Sequence, residues 1–254
     1  MKLRFLGTGT STGIPQIMCN CEVCRSIDPR DKRLRSSALI STDNCNILID
    51  CGPDFREQML RCGSPDIEAL LVTHSHYDHV GGVDDLRPYC TIGDGFPIYC
   101  QNDVAQDLMQ RVPYCFAEHP YPGVPAFNIH EISSKPFSVA GIKVTPLPVM
   151  HYRLPIVGYK IANMAYITDA RTIPDSTLEI IHGIDTLVIN ALRLKDHISH
   201  MNLNQALEII KTVNPRTTYL THLSHDMGLH NDASQLLPEN VKIAYDNLII
   251  HIPD

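Results

Sequence analysis

No stretch of this 254-residue chain is apolar over enough length to cross a bilayer, and the N-terminal run Met1-Lys-Leu-Arg-Phe-Leu-Gly-Thr-Gly9 has no long apolar segment behind its basic residues. A membrane span and a secretory leader are therefore not expected. A disulfide framework is missing as well. Nine cysteines is an odd number, and six of them (Cys45, Cys51, Cys62, Cys90, Cys100 and Cys115) are scattered without regular spacing, which points to a reducing, cytoplasmic setting. There is no basic surplus: 21 Lys and Arg against 28 Asp and Glu give a net charge of −7. Surfaces that cover a long phosphate backbone are usually basic, so a small anionic ligand is expected in place of nucleic acid. No linker-like change of composition divides the chain, and 44% hydrophobic content supports one α/β domain over residues 1–254. The glycine-rich Gly7-Thr-Gly9-Thr-Ser-Thr-Gly13 matches neither the dinucleotide fingerprint nor the Walker loop, and reads as a tight turn at a pocket rim.

What is present is concentrated in His74-Ser-His76-Tyr-Asp78-His79. Three imidazoles and a carboxylate follow directly on the apolar run Ile67-Glu-Ala-Leu-Leu-Val-Thr73, so they occupy the loop that ends a buried strand. Nitrogen and carboxylate oxygen suit zinc, manganese or iron, and ligands offset along a loop can hold two ions side by side. Three further candidates close strand-like runs downstream: His151 after Val144–Met150, Asp169 after Ala165–Thr168, and His222 after Thr218–Thr221. A second constellation, Cys19-Asn-Cys21-Glu-Val-Cys24, offers three thiolates at ligand spacing, one short of a closed tetrahedral zinc site. His225, three residues past His222, is the candidate for the fourth.

The histidine-rich loop with its downstream ligands resembles the signature of the metallo-β-lactamase superfamily, across essentially the whole chain. The Cys-x-Cys-x-x-Cys loop is similar to that of the phosphodiesterase branch that includes phosphoribosyl cyclic phosphate phosphodiesterases. The resemblance implies an αβ/βα four-layer sandwich, two mixed β-sheets flanked by helices. It places His74, His76 and His151 on one metal, Asp78, His79 and His222 on the other, and Asp169 between them, with a structural zinc on Cys19, Cys21, Cys24 and His225. Two adjacent cations, zinc or manganese, would generate hydroxide from a shared water near neutral pH. The same resemblance implies that His200, in His197-Ile-Ser-His200, faces the scissile phosphate, there to stabilise the transition state or protonate the leaving oxygen, and that the protein assembles as a homodimer. The first-choice reaction is hydrolysis of a small, cyclic phosphodiester such as phosphoribosyl 1,2-cyclic phosphate. Ribonuclease Z-like RNA cleavage, thioester hydrolysis and a non-catalytic binding role are the alternatives. Asp50, in Leu48-Ile-Asp50, reads either as the partner of a ligand's second nitrogen or as a strand-end cap.

Patterning places strands at 2–6, 38–42, 46–50, 67–73, 97–100, 127–132, 142–146, 157–161, 164–168, 186–190, 216–221, 242–245 and 248–252. Helices are expected over 54–62, 83–89 and 103–112, from Ser176 with Glu179 as capping-box partner, and from Asn202 to about Val213. The segment from Val112 to Pro125, interrupted by Pro113, Pro120, Pro122 and Pro125, shows neither period and is a candidate lid or interface.

Overall fold

The computed structural model describes residues 1–90, 95–117 and 121–253. In chain order the elements are β1 (Lys2–Gly7), α1 (Glu22–Arg25), β2 (Ser37–Ser41), β3 (Asn46–Ile49), α2 (Phe55–Cys62), β4 (Ala69–Leu71), α3 (Tyr77–Val80), β5 (Phe96–Cys100), α4 (Asn102–Arg111) and β6 (Phe127–Glu131). They continue with β7 (Phe137–Val139), β8 (Ile142–His151), β9 (Leu154–Ile161), β10 (Met164–Ile167), α5 (Asp175–Ile181), β11 (Thr186–Asn190), α6 (Leu203–Val213), β12 (Thr217–Thr221), α7 (His230–Ser234), β13 (Val241–Ile243) and β14 (Ile249–His251).

These strands form two seven-stranded sheets, ordered β14-β1-β2-β3-β4-β5-β6 and β13-β12-β11-β10-β9-β8-β7. Each is mixed. In the first, β14 to β3 are antiparallel and β3 to β6 parallel; in the second, β7 to β10 are antiparallel and β10 to β13 parallel. Alternation along each strand decides which layer a residue serves. Ile47 and Ile49 face the core between the sheets, together with Phe5, Ile40, Tyr159 and Tyr166. Leu48 points the other way, to join Leu70 and Ile98 under Phe55 and Met59 of α2 and Leu108 of α4. In the second sheet Leu187 and Ile189 meet Ala206 and Ile210 of α6, whereas Val188 faces the partner sheet. The result is helices, sheet, sheet, helices: the four-layer architecture expected from the sequence.

Differences from the sequence reading are local and physical. β8 continues through Pro146 and Pro148 to His151, where the reading ended the strand at Pro146. Both prolines pair with β9 while the partner face carries Leu147 and Val149 into the core. The reading also missed β7, a three-residue strand at a sheet edge. α5 begins at Asp175 with Pro174 as its N-cap and has no side-chain cap, so Glu179 is not a capping-box partner. α6 does carry a full capping box, Asn202 with Gln205. The 83–89 helix is 3-10, consistent with Pro88 denying it an α-helical donor. Of the proline-interrupted segment, Pro113–Phe116 is a further 3-10 turn, and Pro120 lies outside the described residues.

In open α/β sheets the carboxyl ends of parallel strands are where ligands bind. Here both sheets bring such ends to one place: β3 runs into Asp50, β4 into Thr73 and His74, β10 into Asp169, and β12 into His222. The peptide N–H of Val157 donates to the Thr73 carbonyl (3.2 Å) and the Tyr159 hydroxyl to that of Val72 (2.5 Å), which ties the second sheet to the histidine loop of the first.

Candidate metal centre

Asp50, Asp169 and His222 share one backbone device. Each follows a strand with a left-handed conformation (φ 59°, 57° and 55°), a state uncommon for non-glycine residues but one in which Asp and His are found more often than most. Three breaks of this kind at converging strand ends turn the side chains inward, and strain of this sort persists where surrounding structure demands it. The histidine loop is turned differently. After His76 the chain enters α3, one short turn that carries Asp78 and His79. α3 sits so close to the preceding loop that a Cβ on Gly52 would lie 2.0 Å from the Asp78 carbonyl, and one on Gly82 equally close to that of Gly52.

Ligand-capable atoms gather in groups whose members lie within 4.8 Å of one another: His74, His76 and His151; Asp78, His79, Asp169 and His222; and, at the junction, His151, Asp169 and His200. His74 Nε2 is 3.1 Å from His76 Nδ1. Asp169 Oδ2 is 3.2 Å from His79 Nε2 and its Oδ1 3.0 Å from His222 Nε2, while Asp78 Oδ2 is 3.2 Å from His79 Nε2. These atoms are buried, and yet among the described residues His79 Nε2 and both ring nitrogens of His222 make no aligned hydrogen bond. Buried polar atoms rarely go without a partner. Atoms this close that do not aim at one another aim at a common point, as metal ligands do.

The opposite ring nitrogens are held from outside. Asp50 Oδ2 accepts from His79 Nδ1 at 2.7 Å and takes the Thr73 hydroxyl at 2.8 Å; the Thr73 oxygen in turn lies 3.0 Å from His74 Nδ1. His151 Nδ1 donates to the Ser199 carbonyl at 2.9 Å. Each of these contacts leaves the other nitrogen to face the site. Asp50 therefore positions a ligand candidate as well as ending a strand. The sequence reading passed over Thr73 and Asn190, whose side chain holds Ala170 through both its peptide groups; each is a polar residue closing an apolar strand run, the signal that could have found them. Ser199 acts through its backbone and leaves no side-chain signal.

The electrostatics call for cations. Burial alone would push His79 and His222 down, but Asp169 and Asp78 outweigh it and drive His79 well up and His222 to about 9. Burial alone would raise Asp78 and Asp169, yet the imidazoles hold both well below the usual carboxylate range. Protons on His79 and His222 here stand where divalent ions would supply the same positive charge. His200 differs: burial pushes it to about 3 against the pull of Asp169. Its ring lies 4.6 Å from that of His151 and 4.9 Å from that of His222, and its buried Nδ1, 3.7 Å from Asp169 Oδ1, makes no hydrogen bond among the described residues. Burial thus favours the neutral imidazole, which can donate an N–H bond into the site. His197 is half-buried and accepts from the Ser199 peptide at 3.3 Å.

The thiol cluster is a separate site. Cys19, Cys21 and Cys24 Sγ lie 3.2, 3.4 and 3.5 Å from His225 Nδ1. A tetrahedral zinc with ordinary Zn–S and Zn–N bonds sets that separation at roughly 3.6 Å, so the four side chains are arranged close to ligand distance. Peptide N–H groups of Cys24 and Gln16 point at the Cys21 and Cys24 sulfurs (3.4 Å each). The first of these contacts is the main reason Cys21 falls to about 7, whereas burial lifts Cys24 to about 11.

Replacing Asp50 with Asn, which keeps its shape but not its charge, should weaken binding of an ion at His79 by about 10- to 100-fold. Competitive titration with a chromogenic chelator checks this; unchanged affinity would leave Asp50 with only its strand-end role.

The beta-lactamase superfamily domain matches residues 45–223. Over 251 residues, 98% of this chain, the sequence is 44% identical to an octanoyltransferase of Porphyromonas gingivalis; the chain spans about half the length of that relative (51%). The fold superposes on the crystal structure of a diphosphatase from the PhnP family with a TM-score of 0.93 and 37% identity, covering 99% of this chain and 98% of that one. It also shares its fold with Zn(2+)-bound PqqB from Methylobacterium extorquens, at a TM-score of 0.82 and 19% identity over 99% and 100% of the two chains.

Proposed function

Since this chain belongs to the metallo-β-lactamase superfamily, and within it to the PhnP family, we propose that this metal-dependent hydrolase is a phosphodiesterase acting on a small anionic phosphate ester, with a cyclic sugar phosphate such as phosphoribosyl 1,2-cyclic phosphate as the first candidate. The observation that carries this reading is the junction at Asp169: one buried carboxylate between two imidazole groups, with neutral His200 beside it.

In this reading His74, His76 and His151 hold one divalent ion, Asp78, His79 and His222 the other, and Asp169 both; Cys19, Cys21, Cys24 and His225 hold a structural zinc. Zinc or manganese in the paired site would lower the pKa of water and polarise a phosphoryl oxygen. The chain's own contribution is placement. Asp50 and Thr73 fix the ring orientations of His79 and His74, and Ser199 that of His151. His200, neutral and buried, donates an N–H bond to a phosphoryl oxygen, and such a bond strengthens as charge gathers there in the transition state. Asp78 serves as a ligand, its carboxyl being turned to His79 and His222. The octanoyl transfer named for the P. gingivalis protein belongs to a chain about twice as long. A phosphoanhydride is the second substrate class, supported by the diphosphatase relative at 37% identity.

Steady-state hydrolysis by zinc- or manganese-loaded protein tests the proposal. Phosphoribosyl 1,2-cyclic phosphate, a dinucleoside diphosphate, a generic aryl diester and a transfer RNA precursor would be run side by side. The expected outcome is kcat/KM at least 100-fold higher for the cyclic sugar phosphate than for the aryl diester. Preference for the diphosphate would move the substrate to the second class, and cleavage of the RNA alone would overturn the small-substrate reading.

A further inference from the structure

Between Leu192 and His200 the chain leaves the second sheet and returns without an apolar anchor. Leu192, His200 and Met201 are buried, whereas no residue from 193 to 199 is; Leu194 and Ile198 are 43% and 67% exposed. The shape of this loop therefore depends on polar contacts. Its base is closed by the backbone, through Leu192 N–H to the Met201 carbonyl (2.9 Å) and Leu203 N–H to that of Arg193 (3.0 Å). The first half is gathered by the Arg193 guanidinium, which donates to the Lys195 and Asp196 carbonyls (3.3 and 2.6 Å), and by the Asn202 amide, which donates to the Asp196 carboxylate (2.6 Å). In the second half the fastening comes from His197.

The roles of its ring nitrogens follow from chemistry. The Ser199 peptide N–H points at His197 Nδ1 from 3.3 Å, and the Ser199 hydroxyl lies 3.2 Å from the same atom. A peptide N–H can only donate, so Nδ1 is the acceptor and the proton of the neutral ring sits on Nε2. A side-chain acceptor that takes the N–H two residues further on is the arrangement by which Asn and Asp close turns. Burial and the nearby Arg193 charge lower the pKa of His197, which keeps that lone pair free of a proton near neutral pH. The residue held in this way is the one whose carbonyl accepts from His151 Nδ1 (2.9 Å), and the His197 ring lies 5.1 Å from that of His200.

We propose that His197 is a positioning residue for the metal centre: by accepting the Ser199 N–H it locks the loop so that the Ser199 carbonyl orients His151 and the His200 ring stays beside Asp169. His197 itself touches neither ion nor reacting atom and acts through Ser199 and His200. The consequence for an ion rests on the reading of His151 as a ligand, whereas the lock rests on the loop's own contacts.

Replacement by Ala and by Asn separates the acceptor from the rest of the ring. Ala removes it, while Asn supplies an acceptor for the N–H two residues on without the imidazole. Two properties are read: amide hydrogen exchange of peptides spanning 193–201 in metal-free protein, and the affinity of the paired site for zinc in competition with a chromogenic chelator. In His197→Ala the loop should exchange about fivefold faster, the equivalent of one hydrogen bond. The same variant should bind zinc about tenfold more weakly, the lower end of the range for groups that orient a metal ligand. His197→Asn should recover most of both losses. An Asn variant as impaired as the Ala variant overturns the proposal, and so does an Ala variant whose loop exchanges at the wild-type rate. If exchange follows the expected order but zinc affinity is the same in all three proteins and in His151→Ala, the ligand reading fails and the lock stands. If His151→Ala weakens zinc binding and His197→Ala does not, the positioning role alone fails.

Discussion

Asp169→Ala protein should purify folded, with less than one active-site ion per chain, and turn over substrate about four orders of magnitude more slowly than wild type or worse, because the group that joins the two ligand sets is also the main negative charge facing His79 and His222. Metal content by plasma emission spectroscopy and kcat under saturating substrate are the two readings. The left-handed backbone at Asp169 makes Asn the better second variant, since Asn tolerates that conformation as Asp does and Ala does not. Asp169→Asn should therefore match the wild-type melting temperature more closely than Asp169→Ala while losing the same ions. Two tightly bound ions and near-normal turnover in Asp169→Asn would defeat the ligand assignment.

The second large effect belongs to the thiol cluster. Cys21→Ser should lose one zinc per chain, with the melting temperature falling by about 10 °C, because metal held by the folded state alone contributes its binding free energy to folding. The loss should spread to catalysis by a route that can be traced. Leu223, next to His222, exchanges peptide hydrogen bonds with Thr8 and Thr10 (2.9 Å each), and His225 follows two residues later. A loosened His225 thus frees the segment that aims His222. Several-fold weaker binding of an active-site ion should accompany the zinc loss. Unchanged zinc content in Cys21→Ser would remove the structural site from the account.

How much of this could be read from residues alone follows a physical line. The apolar runs that became β3, β4, β10 and β11 were legible because a strand buried on both faces must be apolar throughout, and the polar residue that ends each run announced itself by contrast. That contrast is what exposed His74 and Asp169, whereas His222 closes the threonine-rich strand β12. β8 was cut short because Pro146 and Pro148 read locally as breakers, while tertiary pairing with β9 overrides the local preference. The missing cap of α5 is a similar case: Ser176 and Glu179 have the right spacing, but Pro174 already sets the entry of the chain. The roles of Gly52 and the Ser199 carbonyl depend on approaches between segments distant in sequence, and no single-chain pattern encodes them.

Four of the seven ligand candidates lie between His74 and His79, and the other three are spread from His151 to His222, on the second sheet. Since ribosomes deliver a chain from its N-terminus, the early portion emerges with two members of each imidazole set and without the carboxylate that joins them. The His74 set waits for His151 and the set of Asp78 and His79 for His222, and both need the second sheet docked against the first. An ion bound by the proposed ligand sets would therefore meet its full coordination only in a cage that both sheets have already assembled, and not in a half-site on the histidine loop alone.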